Sequence, residues 1–223
     1  MIFFCGLHFI VGMADQAEAS LKVFDTHVYK NPYSVGSLKT KREIAKGDSG
    51  TLRLIRTVCT AVQAKGCEKS GRAVQVLTFL QVEELGTVPL AHFRGNRFNI
   101  TFYNGSGVYF LFPYLLEFFE RVQSENRLLG AVFDDLHVKG FVAGCRALGL
   151  ISKIITEALW KVLEDKTVHI LDMSQKYQAL LSCFEACAEN SFPFLKGETV
   201  VFVLFYKIVE DQMYDKLVQP SDE

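Results

Sequence analysis

TLRLIRTVCTAVQA, residues 51–64, decides the fold class. Leu52, Ile55, Val58, Cys59 and Val62 recur at intervals of three and four and therefore share one face of a helix. Lys65-Gly66 follows as a stop signal, with a cation beside the carbonyl end and a glycine free to leave helical geometry. The same period continues on both sides. Phe4, Leu7, Ile10, Val11, Ala14 and Leu21 predict an amphipathic helix over 3–24, and Val74, Leu77, Phe79 and Leu80 predict another over 71–84 that Thr87-Val88-Pro89 closes. Short helices are expected over 126–136, 138–148 and 152–163, separated by Gly140 and Gly149, and a longer one over 173–189 capped by Asp172.

Two stretches break the pattern. Between 96 and 123, Tyr109, Phe112, Leu116 and Phe119 keep helical spacing, but Gly105, Gly107 and Pro113 predict two helices with a kink. TVVFVLF, residues 199–205, is β-branched and aromatic and predicts a buried strand. The expected fold is mostly α, an irregular helical bundle with one or two C-terminal or flanking strands. Its parts are an N-terminal helix over 1–28, a basic loop over 29–50, a helical domain over 51–198, and a strand-like segment with a polar tail over 199–223. Asn31-Pro32, Gly36, Gly47 and four cations (Lys39, Lys41, Arg42, Lys46) mark the loop.

Composition narrows the function classes. Hydrophobic residues make up 49% of the 223 and charged residues 22%, which suits a packed globular chain and not a disordered one. A net charge of −1 provides no global attraction to nucleic acid, so any such binding has to come from local patches. The cysteines at 5, 59, 67, 145, 183 and 187 form no compact framework and are expected as buried, reduced thiols. Residues 1–14 lack a basic start and are interrupted by His8, which argues against a secretion signal; the acceptors at Asn99 and Asn104 would matter only in a secreted chain. No run reaches the ~18–20 apolar residues of a membrane span. Neither a membrane nor a cofactor is expected.

Cys5 and His8 lie one helical turn apart, at metal-ligand spacing, but a tetrahedral site needs two more ligands. Cys183 and Cys187 have the spacing and no supporting motif, so no metal is assigned. A thiol enzyme built on Cys5 or Cys145 is disfavoured, since only Cys5 has a histidine near it in sequence, His8, and that pair has no oxyanion site or orienting third group. Glu83-Glu84 and Asp134-Asp135 diverge around a helix by about 100° per residue and are expected to be solvated or capping. Asn104-Gly-Ser-Gly has no preceding strand and no Gly-Lys-Ser/Thr, so it is not a phosphate loop. Basic residues cluster at 39–46 and at Lys65, Lys69 and Arg72. Arg94 and Arg97 stand beside Phe93 and Phe98, a pairing that suits phosphate contact and base stacking.

Cys5-x-x-His8, the variable loop, Val88-Pro-Leu before Arg97-Phe98 and the helices that follow together resemble the hAT superfamily of transposases over residues 3–190. The resemblance implies the helical insertion of an RNase H-like core. Cys5 and His8 match the family's Cys-x-x-His, and Arg97 matches the arginine of its Arg-Trp, with Phe98 in the tryptophan's place. The family's first two catalytic aspartates would precede Cys5, where only four residues stand, and no later glutamate is recognisable. Two-metal phosphoryl chemistry needs such acids to converge. The expectation is thus a non-catalytic, transposase-derived protein, a fragment or degenerate copy, acting through DNA or protein contacts. His8, Arg94, Arg97 and Phe98 are its candidate nucleic-acid residues. A homo-oligomer or a helical partner and a nuclear or cytoplasmic location go with that expectation; a helical interaction scaffold unrelated to transposases is the alternative.

Overall fold

The computed structural model describes residues 6–31, 34–37, 47–62, 73–83, 85, 88–93, 99–122, 126–202 and 211–219. The elements are α1 (Gly6–Tyr29), α2 (Gly50–Val62), α3 (Ala73–Val82), α4 (Ile100–Arg121), α5 (Arg127–Leu136), α6 (Lys139–Ile151), α7 (Glu157–Glu164), α8 (Met173–Glu189), α9 (Phe192–Leu195) and α10 (Gln212–Val218). The fold is mostly α, and no strand occurs among the described residues.

The helix whose period was clearest lies at the centre. Leu54, Ile55, Val58, Cys59 and Ala61 of α2 are fully buried, and α2 packs on α1, α3, α4, α5 and α6. Burying a side chain of this size stabilises a fold by about 1.5–3 kcal/mol, so α2 is the natural nucleus of the core. Its N-terminus is capped from outside the helix. The Ser49 N–H and hydroxyl donate to Glu18 at 2.5 and 2.6 Å, and the Gly50 N–H donates to Asp25 at 2.7 Å. Carboxylates at the positive end of a helix satisfy orphan N–H groups and oppose its dipole. Burial pushes the Asp25 carboxyl up, against the lowering effects of the Gly50 hydrogen bond and the Arg53 charge.

The two helices expected between 96 and 123 are not found among the described residues. One helix runs from Ile100 to Arg121 with Pro113 inside it. The glycines that suggested a break instead permit close packing of α4 on α6. A Cβ on Gly105 would sit 2.8 Å from Leu148 Cβ, and one on Gly149 would sit 2.9 Å from Ser106 Cα. Gly149 is accordingly interior to α6, which continues through a π-helical turn (Ser152–Thr156) into α7. That turn widens the ladder where helices separated by Gly149 had been expected.

Two further expectations change at the C-terminal end. Asp172 occupies the N-cap position of α8 but makes no side-chain cap bond; its carboxylate accepts from the His169 N–H at 3.2 Å. Of the expected strand, 199–202 is irregular, with Phe202 buried, and 203–205 lies outside the described residues.

Polar latches seat α10 on this core. Arg146 of α6 donates to the Leu217 and Leu195 carbonyls at 2.8 and 3.2 Å, and Lys216 donates to the Phe110 carbonyl at 3.1 Å. Asp211 caps α10 through the Met213 and Tyr214 N–H groups and pairs with Lys153 at 2.8 Å. Burial opposes the charge on Asp211, but Lys153 and the two N–H groups outweigh it and hold the carboxyl below 3.8. For Lys153, burial is again outweighed, by Glu157 and Asp211, and the ammonium is held above 10.5. The Asp211 contribution is therefore complete above pH 3.8 and lost as pH falls through its lowered value. That of Lys153 is complete below pH 10.5 and lost as pH rises through its raised value. Asp211→Ala should cost about 1 kcal/mol through the lost cap, and Asp211→Asn less, since it can still cap. Thermal melts should separate wild type from Asp211→Asn at neutral pH and merge in acid. A separation independent of pH would contradict the latch.

Candidate nucleic-acid interface

Two arginines one turn apart on α2 fix the ends of the basic loop. Arg53 is 8% exposed and makes a bidentate pair with the fully buried Asp135 of α5, at 2.9 and 3.0 Å. Both Asp135 oxygens also accept from Ser37, from its N–H at 2.7 Å and its hydroxyl at 3.1 Å. Gly36 adopts φ +54, and a Cβ there would lie 2.4 Å from an Asp135 oxygen, so glycine is required for the approach. Asp135 was expected to be solvated or capping. It is instead the buried anchor for the residue at which the loop departs, while Asp134 remains half-exposed.

Arg56 holds the return. Its guanidinium pairs with Asp48 and stands 5.4 Å from the centroid of the Phe93 ring. Ser49, next in sequence, is bound by Glu18. By chain connectivity, Lys46 is two residues from Asp48, and Arg94 directly follows Phe93. One side chain thus joins Asp48 to Phe93.

The segment 88–93 is held against α4 by backbone recognition. Buried Asn104 accepts from the Ala91 N–H at 2.7 Å and donates to the Ala91 carbonyl at 3.1 Å, the pairing a neighbouring strand would offer. Asn99, where the second segment ends, accepts from the Thr156 hydroxyl on the π turn. Both asparagines of the glycosylation acceptors therefore have internal partners. Asn104-Gly-Ser-Gly is a helical packing surface.

Arg94, Arg97 and Phe98 lie outside the described residues, as do Cys5 and the cations at 39–46, 65, 69 and 72. His8 is exposed on α1 beside Phe9, whose ring packs at 5.6 Å on Tyr177 of α8. It stands ten residues, or about 15 Å of helix, before Glu18, which holds Ser49. Among the described residues no group of three His, Cys, Asp or Glu could hold a metal ion. Cys145 is fully buried and its thiol is pushed up, chiefly by burial and further by Cys59; burial raises Cys59 to about 12. Cys183 is raised to about 11, by burial first and then by Cys187. These are thiols held away from the reactive thiolate form, which contradicts a nucleophile at Cys145.

Sequence reasoning missed Arg53, Arg56, Ser37 and Asn104. The signal for the first two was present, as cations inside the apolar run 51–62. That for Asn104 was masked by the glycines around it.

These elements define a mostly α-helical protein in which Arg56 of the central helix joins Asp48 to Phe93. No family model matches the chain, and neither a curated protein nor a solved structure matches it. No helix among the described residues is long and apolar enough to cross a membrane.

Proposed function

We propose that this chain is a non-catalytic, transposase-derived helical protein that acts in the nucleus by binding DNA. The observation that supports a DNA-contacting face is the Arg56 node, which ties Asp48, after the cations of 39–46, to Phe93, before Arg94 and Arg97. Isolated surface lysines commonly serve only solubility. Two basic segments whose flanking residues meet at one arginine can address adjacent phosphates together. The net charge of −1 then matters little, because phosphate recognition is local and screened within about 10 Å at ordinary salt.

Anisotropy of a fluorescent DNA duplex, titrated across a salt series, tests the reading. Log affinity should fall linearly with log salt, and Arg97→Ala or Arg42→Ala should each reduce the slope by about one. Lys166→Ala, at an exposed turn remote in sequence from both segments, should leave it unchanged. Absence of binding at low salt, or equal slopes in all variants, would favour the helical interaction scaffold. A specific observation already supports that second reading: Val23, Phe24 and Val28 of α1 are 69%, 42% and 47% exposed.

A further inference from the structure

The described cysteines divide by exposure. Cys59 and Cys145 are fully buried in the core, whereas Cys183 and Cys187 of α8 are both half-buried and partly open to solvent. The second pair stands four residues apart within one unbroken helix, so its side chains lie one above the other on a single face. The Cys183 thiol is pushed up to about 11, by burial first and then by the charge of Cys187 and a hydrogen bond between the two thiols. The sulfurs are therefore close enough to repel one another as thiolates. A cation held between them would turn that repulsion into attraction.

The neighbours of the pair supply sulfur's competitors poorly. Ala179 and Leu180, one turn before Cys183, and Phe184, one turn before Cys187, carry no donor atom in their side chains. Glu185 is exposed and lies about 160° round the helix from both thiols; Glu189, also exposed, lies at least about 120° away. Asn190, one turn beyond Cys187, commits its side-chain oxygen to the Phe192 N–H at 3.0 Å. Among the described residues no third metal-binding side chain joins the two cysteines.

We infer that Cys183 and Cys187 form a two-sulfur site for a soft monovalent cation, Cu(I). Thiolates select Cu(I), whereas zinc asks for four ligands, and calcium and magnesium ask for oxygen that this face does not present. The helical spacing suits a bridging ion. Two metal–thiolate bonds of about 2.3 Å span up to about 4.6 Å, within reach of Cβ atoms roughly 5–6 Å apart. A disulfide fits the intact turn less well, because it needs Cβ atoms about 3.5–4.5 Å apart. On binding, two S–H bonds break and two S–Cu bonds form. Both protons pass to water, and copper keeps the reduced state in which it arrives. This inference rests on α8 and not on DNA binding.

Competition with the coloured Cu(I)–bicinchoninate complex tests it, using the reduced full chain with Cys5→Ser and Cys67→Ser so that the α8 pair reports. This protein should withdraw copper from the dye. Adding Cys183→Ala or Cys187→Ala should weaken binding by at least about 100-fold, since either change abolishes chelation. Alanine favours the helix, so circular dichroism should stay at the wild-type signal. Cys187→Ala combined with Glu185→Cys keeps two thiols but sets them on opposite sides of α8, and should bind as weakly as the single variants. Amide hydrogen exchange over 179–190 should slow when Cu(I) is added, and only while both cysteines are present. Failure to withdraw copper, affinity retained in Cys187→Ala or in the rearranged pair, or tighter binding of Zn(II) than of Cu(I) would each overturn the assignment.

Discussion

Asp135→Ala should destabilise the protein by about 3–5 kcal/mol, the usual cost of removing one partner from a buried ion pair. Arg53 would be left 8% exposed with its charge unmatched, and Ser37 would lose the acceptor of two hydrogen bonds. Urea denaturation reads the effect as a lower midpoint at unchanged slope. Arg53→Met combined with Asp135→Leu should recover much of the loss, because a buried pair replaced by apolar groups no longer strands a charge. The double variant should nevertheless release the start of the basic loop, since Ser37 would still lack its partner. Faster proteolysis between Ser37 and Gly47 at near-normal stability would report that release. A loss below about 1 kcal/mol in Asp135→Ala would mean that Arg53 reaches water in solution.

Gly107→Val is expected to cost roughly 1–3 kcal/mol or more through overpacking. A Cβ at this position would lie 2.0 Å from the Pro89 carbonyl oxygen and 2.8 Å from Leu90 Cδ2. The first of these neighbours is backbone and cannot rotate aside. Relief therefore requires segment 88–93 to move off α4, which strains the Asn104–Ala91 pairing and the Arg56–Phe93 contact together. Valine does recover helix propensity that glycine forgoes, so the net loss reports the clash after an offset of a few tenths of a kcal/mol. If segment 88–93 carries Arg94 and Arg97 to DNA, the variant should also lose affinity beyond its loss of stability. A variant as stable as wild type would show that this segment does not lie on α4.

The helices of the core were legible from local pattern because their burial is one-sided or their period unbroken. Residues 51–62 and 173–189 fall almost where spacing placed them. The reading of 96–123 failed because Gly105, Gly107 and Pro113 were weighed for intrinsic propensity alone. In the structure, tertiary packing overrides that preference: a glycine that destabilises an isolated helix lets α4 approach α6 and segment 88–93. Asp135 was misread for a related reason. Adjacent carboxylates diverge around a helix, so one can reach water while the other meets Arg53 from an element 82 residues away.

The candidate site was legible in composition but not in arrangement. The cations, their flanking rings and the Cys-x-x-His spacing are all visible in the chain. What joins Asp48 to Phe93 is Arg56, whose two partners lie eight residues before and 37 residues after it. By itself the sequence determined a mostly helical protein, its apolar faces and its inventory of charges, because those follow from periodicity and residue chemistry. Only the tertiary structure decided which charges are paired inside, as at Arg53 and Asp135, and which described ones remain exposed. That division depends on contacts between distant elements, where desolvation makes an unpaired charge too costly to bury.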